Sequence, residues 1–203
     1  MAENTKKTAE DDVDLDVLDP VKVNEQLTAE ARAKVEKNQL IEKQNTVGKR
    51  LLRLLPFHIF MLVSEADGKT DNKEVGQFRE FLNRREKHTS NAYTRRMFHT
   101  TVVNYTALTN RYLGGHIKKD FKVVQQAMNY MQIAVSQPVM KEICKDLREL
   151  AVAIAEASGG FLSMTTPISP EEGKIIEKLD QIFEQAMERA RGDDIPNNAK
   201  LDF

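Results

Sequence analysis

No tryptophan occurs in this chain, and only one cysteine, Cys144. A lone thiol excludes an internal disulfide and any zinc site built on cysteines. Cys144 lies in KEICKDLREL beside Ile143 and Leu147, so it reads as a buried structural thiol rather than a nucleophile. Long apolar runs are also missing. The most hydrophobic stretch, Leu51 to Val63, is too short to cross a bilayer and contains Arg53 and Pro56, so no transmembrane segment is expected. The first twenty residues are polar and acidic, without the apolar segment of a secretory signal. The formal net charge is only −1, which leaves no global field to draw the molecule to nucleic acid or to an anionic membrane. No phosphate-cradling glycine loop, nucleophile elbow or Ser/His/Asp set can be placed, and the four histidines lack paired zinc-ligand spacing. The expected location is cytoplasmic, either free or peripheral to the inner face of a membrane.

What is present is helical periodicity and unevenly placed charge. Residues 1–19 hold seven acidic against two basic side chains and predict a disordered acidic tail over 1–20. Residues 21–47 (with AEARAKVEK at their centre) suit a helix with a thin apolar face, which predicts an exposed or partner-docking helix. From Leu40 through Val47, Leu51, Leu52 and Leu55 the three- and four-residue steps predict a packed face, and Pro56 predicts a kink or a restart. Further helices are expected at about Asn72 to Lys87, from near Ser90 to Gly114-Gly115, around Val123 to Met131, from Pro138 to Ala157, and around Ile175 to Phe183. No stretch alternates like a strand. The fold class is therefore all-α: a compact helical bundle over residues 48–191, with a flexible tail over 192–203.

The chain also carries a concealed repeat. VSEADG at Val63 to Gly68 matches IAEASG at Ile154 to Gly159, about ninety residues on. Each is followed by a capping box, Asp71-Asn72-Lys73-Glu74 in the first copy and Ser169-Pro170-Glu171-Glu172 in the second. Phe78 and Phe81 then fall at the same offsets from Glu74 as Ile176 and Leu179 do from Glu172. Over roughly Leu51 to Met187 this pair of helix–turn–helix units resembles the tellurite-resistance TerB-like family. The resemblance implies pseudo-twofold halves, no known catalysis, a stress-response or membrane-associated setting, and turn carboxylates proposed to hold a metal ion. Those carboxylates correspond to Asp67, Glu74 and Glu172. The second copy departs from the pattern, with Ser158 in place of the acid and the insertion GFLSMTTP.

The acidic stretch SEADGKTDNKE, Ser64 to Glu74, is the first candidate site. It is not an EF-hand, because Val63 stands where the first loop carboxylate belongs. Gly68 reads as a left-handed C′ residue, Asp71 as an N-cap and Glu74 as its box partner, with no metal required. Glu65 and Asp67, however, crowd the C-terminal end of a helix, where the dipole disfavours negative charge. A divalent cation, solvent exposure or a nearby basic side chain would each relieve that conflict. A bound ion in an all-oxygen shell would be Ca²⁺, Mg²⁺ or Mn²⁺, with Glu65, Asp67, Asp71, Glu74 and Glu172 as candidate ligands.

The second candidate is residues 79–99, six basic against two acidic. Its Arg84, Arg85, Arg95 and Arg96 form a candidate surface for phosphate, nucleic acid or an acidic protein, weighed against a plain solvated face. His58, inside the apolar run, reads as a partly buried structural residue. Glu65 and Glu74 are the one carboxylate pair that hydrolytic chemistry could use, but nothing marks a pocket, and the expectation is a protein that is not an enzyme. It is expected to meet a protein partner or a second copy through its N-terminal helix.

Overall fold

A computed structural model describes residues 20–68, 70, 72–158 and 168–190. Residues 1–19 of the expected acidic tail, Asp71, the second-turn insertion and residues 192–203 lie outside them, while Pro20, placed in that tail, begins a helix. The regular elements described are all α-helices: α1 (Pro20–Ser64), α2 (Asn72–His88), α3 (Ala92–Leu113), α4 (Phe121–Ala134), α5 (Gln137–Ser158) and α6 (Pro170–Arg189). No described helix is long and apolar enough to cross a membrane. By contacts the chain divides into two units, Met1–Gln44 and Asn45–Phe203.

In the first unit, α1 begins at Pro20, and every side chain described between residues 29 and 43 is exposed. Val35, at 54% exposure, is among them.

The second unit is a helical bundle built on α5. Helices α2 and α6 both pack on α5, α2 also packs on α3, and α6 also packs on α4. The core follows the expected periodicity. Leu147, Leu150, Ala151 and Ile154 of α5 are fully buried, as are Val124, Ala127, Met128 and Met131 of α4. Five methionines (Met61, Met97, Met128, Met131 and Met140) are at most 1% exposed, filling space that larger aromatics take elsewhere.

Of the kink or restart expected at Pro56, the restart does not occur: α1 continues to Ser64. A mid-helix proline costs about 3 kcal/mol. Here the residues around it are clamped: Leu52, Leu55 and Phe57 to Val63 are all buried, and each large side chain contributes about 1.5–3 kcal/mol. Burial outweighs the proline. The packed face also begins later than the three- and four-residue steps suggest, because Val47 is 52% exposed.

The close approach of α1 to α4 depends on Gly48. A Cβ there would lie 2.3–2.5 Å from three ring carbons of Tyr130. Alanine is intrinsically the better helix residue by about 1 kcal/mol. Even so, Gly48→Ala is expected to destabilise the bundle by about 1–3 kcal/mol, because the ring must leave its place. Thermal denaturation checks this. In a Tyr130→Ala background the same substitution should become stabilising, and stabilisation in the wild-type background would refute the steric reading.

The helix ends follow local chemistry. Ser169 accepts from the Glu172 amide at 3.2 Å and its own amide donates to Glu172 Oε2 at 2.9 Å, so the expected capping box is formed. Gly68 has φ +93°, the left-handed conformation expected for it. Asn91 caps α3 by accepting from the amides of Tyr93 and Thr94.

Candidate functional site

The acidic turn connects α1 to α2. The Gly68 amide donates to the Glu65 carbonyl at 3.2 Å, and the Ser64 and Thr70 hydroxyls are 3.1 Å apart. Glu65 has partners within the protein. The Tyr112 hydroxyl donates to Glu65 Oε1, and Lys119 Nζ sits 3.1 Å from Oε2. Burial, followed by the hydrogen bond and charge of Glu65, raises the Tyr112 phenol to about 12, so it remains a donor at any ordinary pH. Of the three ways to relieve the crowded helix terminus, a basic side chain is present at Glu65.

The remaining acidic residues are separated by their surroundings. Asp67 is exposed, whereas Glu74 and Glu172 are each only 2% exposed. Both buried glutamates are third residues of their helices, α2 and α6, and both have interaction partners. For Glu172 one such partner is Ser169. Among the described residues, no group of three His, Cys, Asp or Glu side chains is arranged to hold a metal ion.

The basic segment is largely occupied by internal partners. Arg85 donates to Asp146 at 2.9 Å and also pairs with Glu149. Thr89 donates to the second oxygen of Asp146 at 3.0 Å, and Asn91 donates to Glu142 at 3.1 Å. Arg95 donates to the Thr89 carbonyl at 2.8 Å. Arg84 lies over the Phe81 ring at 5.8 Å, and Arg96 also has a partner. His99 Nδ1 is 2.6 Å from Glu86. Each of the four arginines thus has a partner within the protein, and Arg85, with Thr89 and Asn91, fastens the α2–α3 turn to α5.

Sequence reasoning missed the partners on α5, although a signal existed. Glu142, Asp146 and Glu149 are spaced four and three apart, which places three carboxylates on one helical face. No comparable signal links Glu65 to Tyr112 and Lys119, 47 and 54 residues away.

Burial also shifts two groups in the core, Cys144 and His58. Burial pushes the Cys144 thiol up to about 12, and its sulfur lies 3.9 Å from the Phe183 carbonyl oxygen, consistent with a structural thiol. His58 is 3% exposed and its Nδ1 has no hydrogen-bond partner; burial lowers its imidazole to about 4, against a raising effect of the Asp120 charge.

Comparison with protein-family models, with curated proteins and with solved structures yields no match.

Proposed function

We propose that this protein is a noncatalytic interaction module that pairs with a second copy of itself through the helical segment 20–47. The observation that carries the reading is the exposure of every described side chain between residues 29 and 43, on a helix that a folded domain normally covers along one face. Residues 20–44 contain five basic and four acidic side chains, interspersed. A surface of mixed sign neither repels its own copy nor selects a strongly charged partner. Val35 and Val47 supply exposed apolar contacts along it. The TerB-like resemblance supports the same noncatalytic role and suggests a stress-response or membrane-associated assembly as its setting. At the acidic turn, the engagement of Glu65 by Lys119 and Tyr112 favours a structural role over a cation site.

Sedimentation velocity on the full chain tests both parts of the reading. The chelator-treated protein should sediment as a dimer at micromolar concentration, and a Val35→Glu, Val47→Glu variant as a monomer. Added Ca²⁺, Mg²⁺ or Mn²⁺ should change neither profile. A wild-type chain that stays monomeric at every concentration tested would overturn the pairing. Cation-dependent association that Asp67→Asn abolishes would return the acidic turn to the role of metal site.

A further inference from the structure

A groove of about 380 Å³ runs between α1 and α3. Arg50 and Arg53 border it from α1, and Arg111 from α3, with Leu54, Ala107 and Leu108 providing apolar surface. The spacing is that of two facing helix surfaces: 50, 53 and 54 on one side, and 100, 104, 107, 108 and 111 on the other. The two helices come close at this level: the Thr101 hydroxyl donates to the Met97 carbonyl of its own helix at 2.9 Å, and its oxygen lies 3.4 Å from the Arg53 carbonyl oxygen.

The charge in this groove is unbalanced in a way the other grooves are not. Between α5 and α6, Lys141, Lys145 and Arg148 share their groove with Asp180 and Glu184, and Arg148 is bonded to Asp180 at 2.9 Å. At the α2–α3 turn, Arg85 and Lys145 face Glu142 and Asp146. The groove between α1 and α3 has no carboxylate in its lining. Among the described residues, none forms an ion pair with Arg50, Arg53 or Arg111. Three exposed guanidinium groups without a counter-charge among the described residues offer an electropositive surface to an outside anion.

We infer that this groove binds a small phosphate-bearing ligand, with the arginines on the phosphate and the apolar surface against the ligand's body. Guanidinium forks match phosphate oxygens in bidentate geometry, which a lysine ammonium cannot reproduce. The groove volume lies at the lower end of the range of about 300–1,000 Å³ typical of small-molecule sites, which suits one compact ligand. The binding residues differ from Arg84, Arg85, Arg95 and Arg96, where basic residues are most concentrated in the sequence.

Calorimetric titration of the full-length protein with inorganic pyrophosphate is the test. Saturable binding of one pyrophosphate per chain is expected. Affinity should fall by at least about tenfold in an Arg50→Gln, Arg53→Gln, Arg111→Gln variant, in line with the strength of charge-assisted pairs. An Arg95→Gln, Arg96→Gln variant should bind as the wild type does. Circular dichroism monitors folding, and Arg111→Lys, which keeps the charge but loses the fork, should also weaken binding. No saturable heat up to about 10 mM, weaker than any useful affinity, would overturn the proposal. So would undiminished binding by the triple variant while it remains folded. Tight, steeply salt-dependent binding of a single-stranded oligonucleotide without pyrophosphate binding would also overturn it, assigning the groove to nucleic acid.

Discussion

Replacing Phe78 by alanine is expected to lower the unfolding free energy by about 3–5 kcal/mol, read from urea denaturation at neutral pH. The side chain is fully buried on α2. Its ring stacks on Phe60 with centroids 4.4 Å apart and planes at 17°. It also meets Phe57 edge-on at 6.5 Å and Tyr105 at 6.0 Å. These contacts join α2 simultaneously to α1 and α3, so truncation opens a cavity where three helices meet. Aromatic pairs add about 0.5–1.5 kcal/mol each beyond buried area, and collapse of the site recovers only part of the loss. Typical domains are stable by about 5–15 kcal/mol, so the variant should be marginal at physiological temperature. Phe78→Leu, which retains most of the volume, should lose less than half as much. A loss below about 1.5 kcal/mol for alanine would mean that the cluster is not a keystone of the fold.

Acid should destabilise the protein through His58. In the unfolded chain its imidazole titrates near 6.5, whereas in the folded protein burial holds it at about 4. Above pH 6.5 both states are neutral at this position and the histidine imposes no charging penalty. Between 6.5 and 4 the unfolded state takes up a proton that the folded state refuses, so stability falls as pH falls. The loss levels off below about 4, after reaching roughly 3 kcal/mol at 1.36 kcal/mol per pH unit. Carboxylates titrate in the same window, so the difference between two proteins is the informative quantity. Urea midpoints for the wild type and for His58→Leu should be compared at about pH 7.5 and about pH 4.5. The variant should keep most of its stability at low pH and differ little at high pH, because the imidazole it lacks has an unbonded nitrogen. Parallel pH dependence in the two proteins would remove His58 from the explanation.

The helices were legible in the sequence because their signals are local. Apolar steps of three and four mark α4 and α5, and the box from Ser169 to Glu172 starts α6 where expected. Gly68 and Gly115 adopt the positive φ that ends a helix. Where a tertiary contact competes with a local rule, the local rule loses. Pro56 predicts a kink or a restart, but α1 runs through it without restarting, with buried residues on both sides. Pairings across the fold were the least legible. Glu65 and Lys119 are brought together only by the packing of the bundle, and Arg85 reads as part of a basic cluster until α5 presents Asp146. Arg50, Arg53 and Arg111, without an ion-pair partner among the described residues, are dispersed in sequence and line one groove only when α1 lies beside α3.

The five interior methionines have a consequence for how this molecule tolerates inherited change. An unbranched thioether with three rotatable bonds can shift to accept a neighbour that gains or loses a methylene, where a branched side chain would clash or leave a void. Met128 and Met131 on α4 and Met140 on α5 are fully buried, and Met61 and Met97 extend such adaptable packing to α1 and α3. Substitutions at neighbouring positions can therefore be absorbed singly, without a compensating partner arising in the same step. A lineage built on this interior can replace its lining gradually while its helices stay in place.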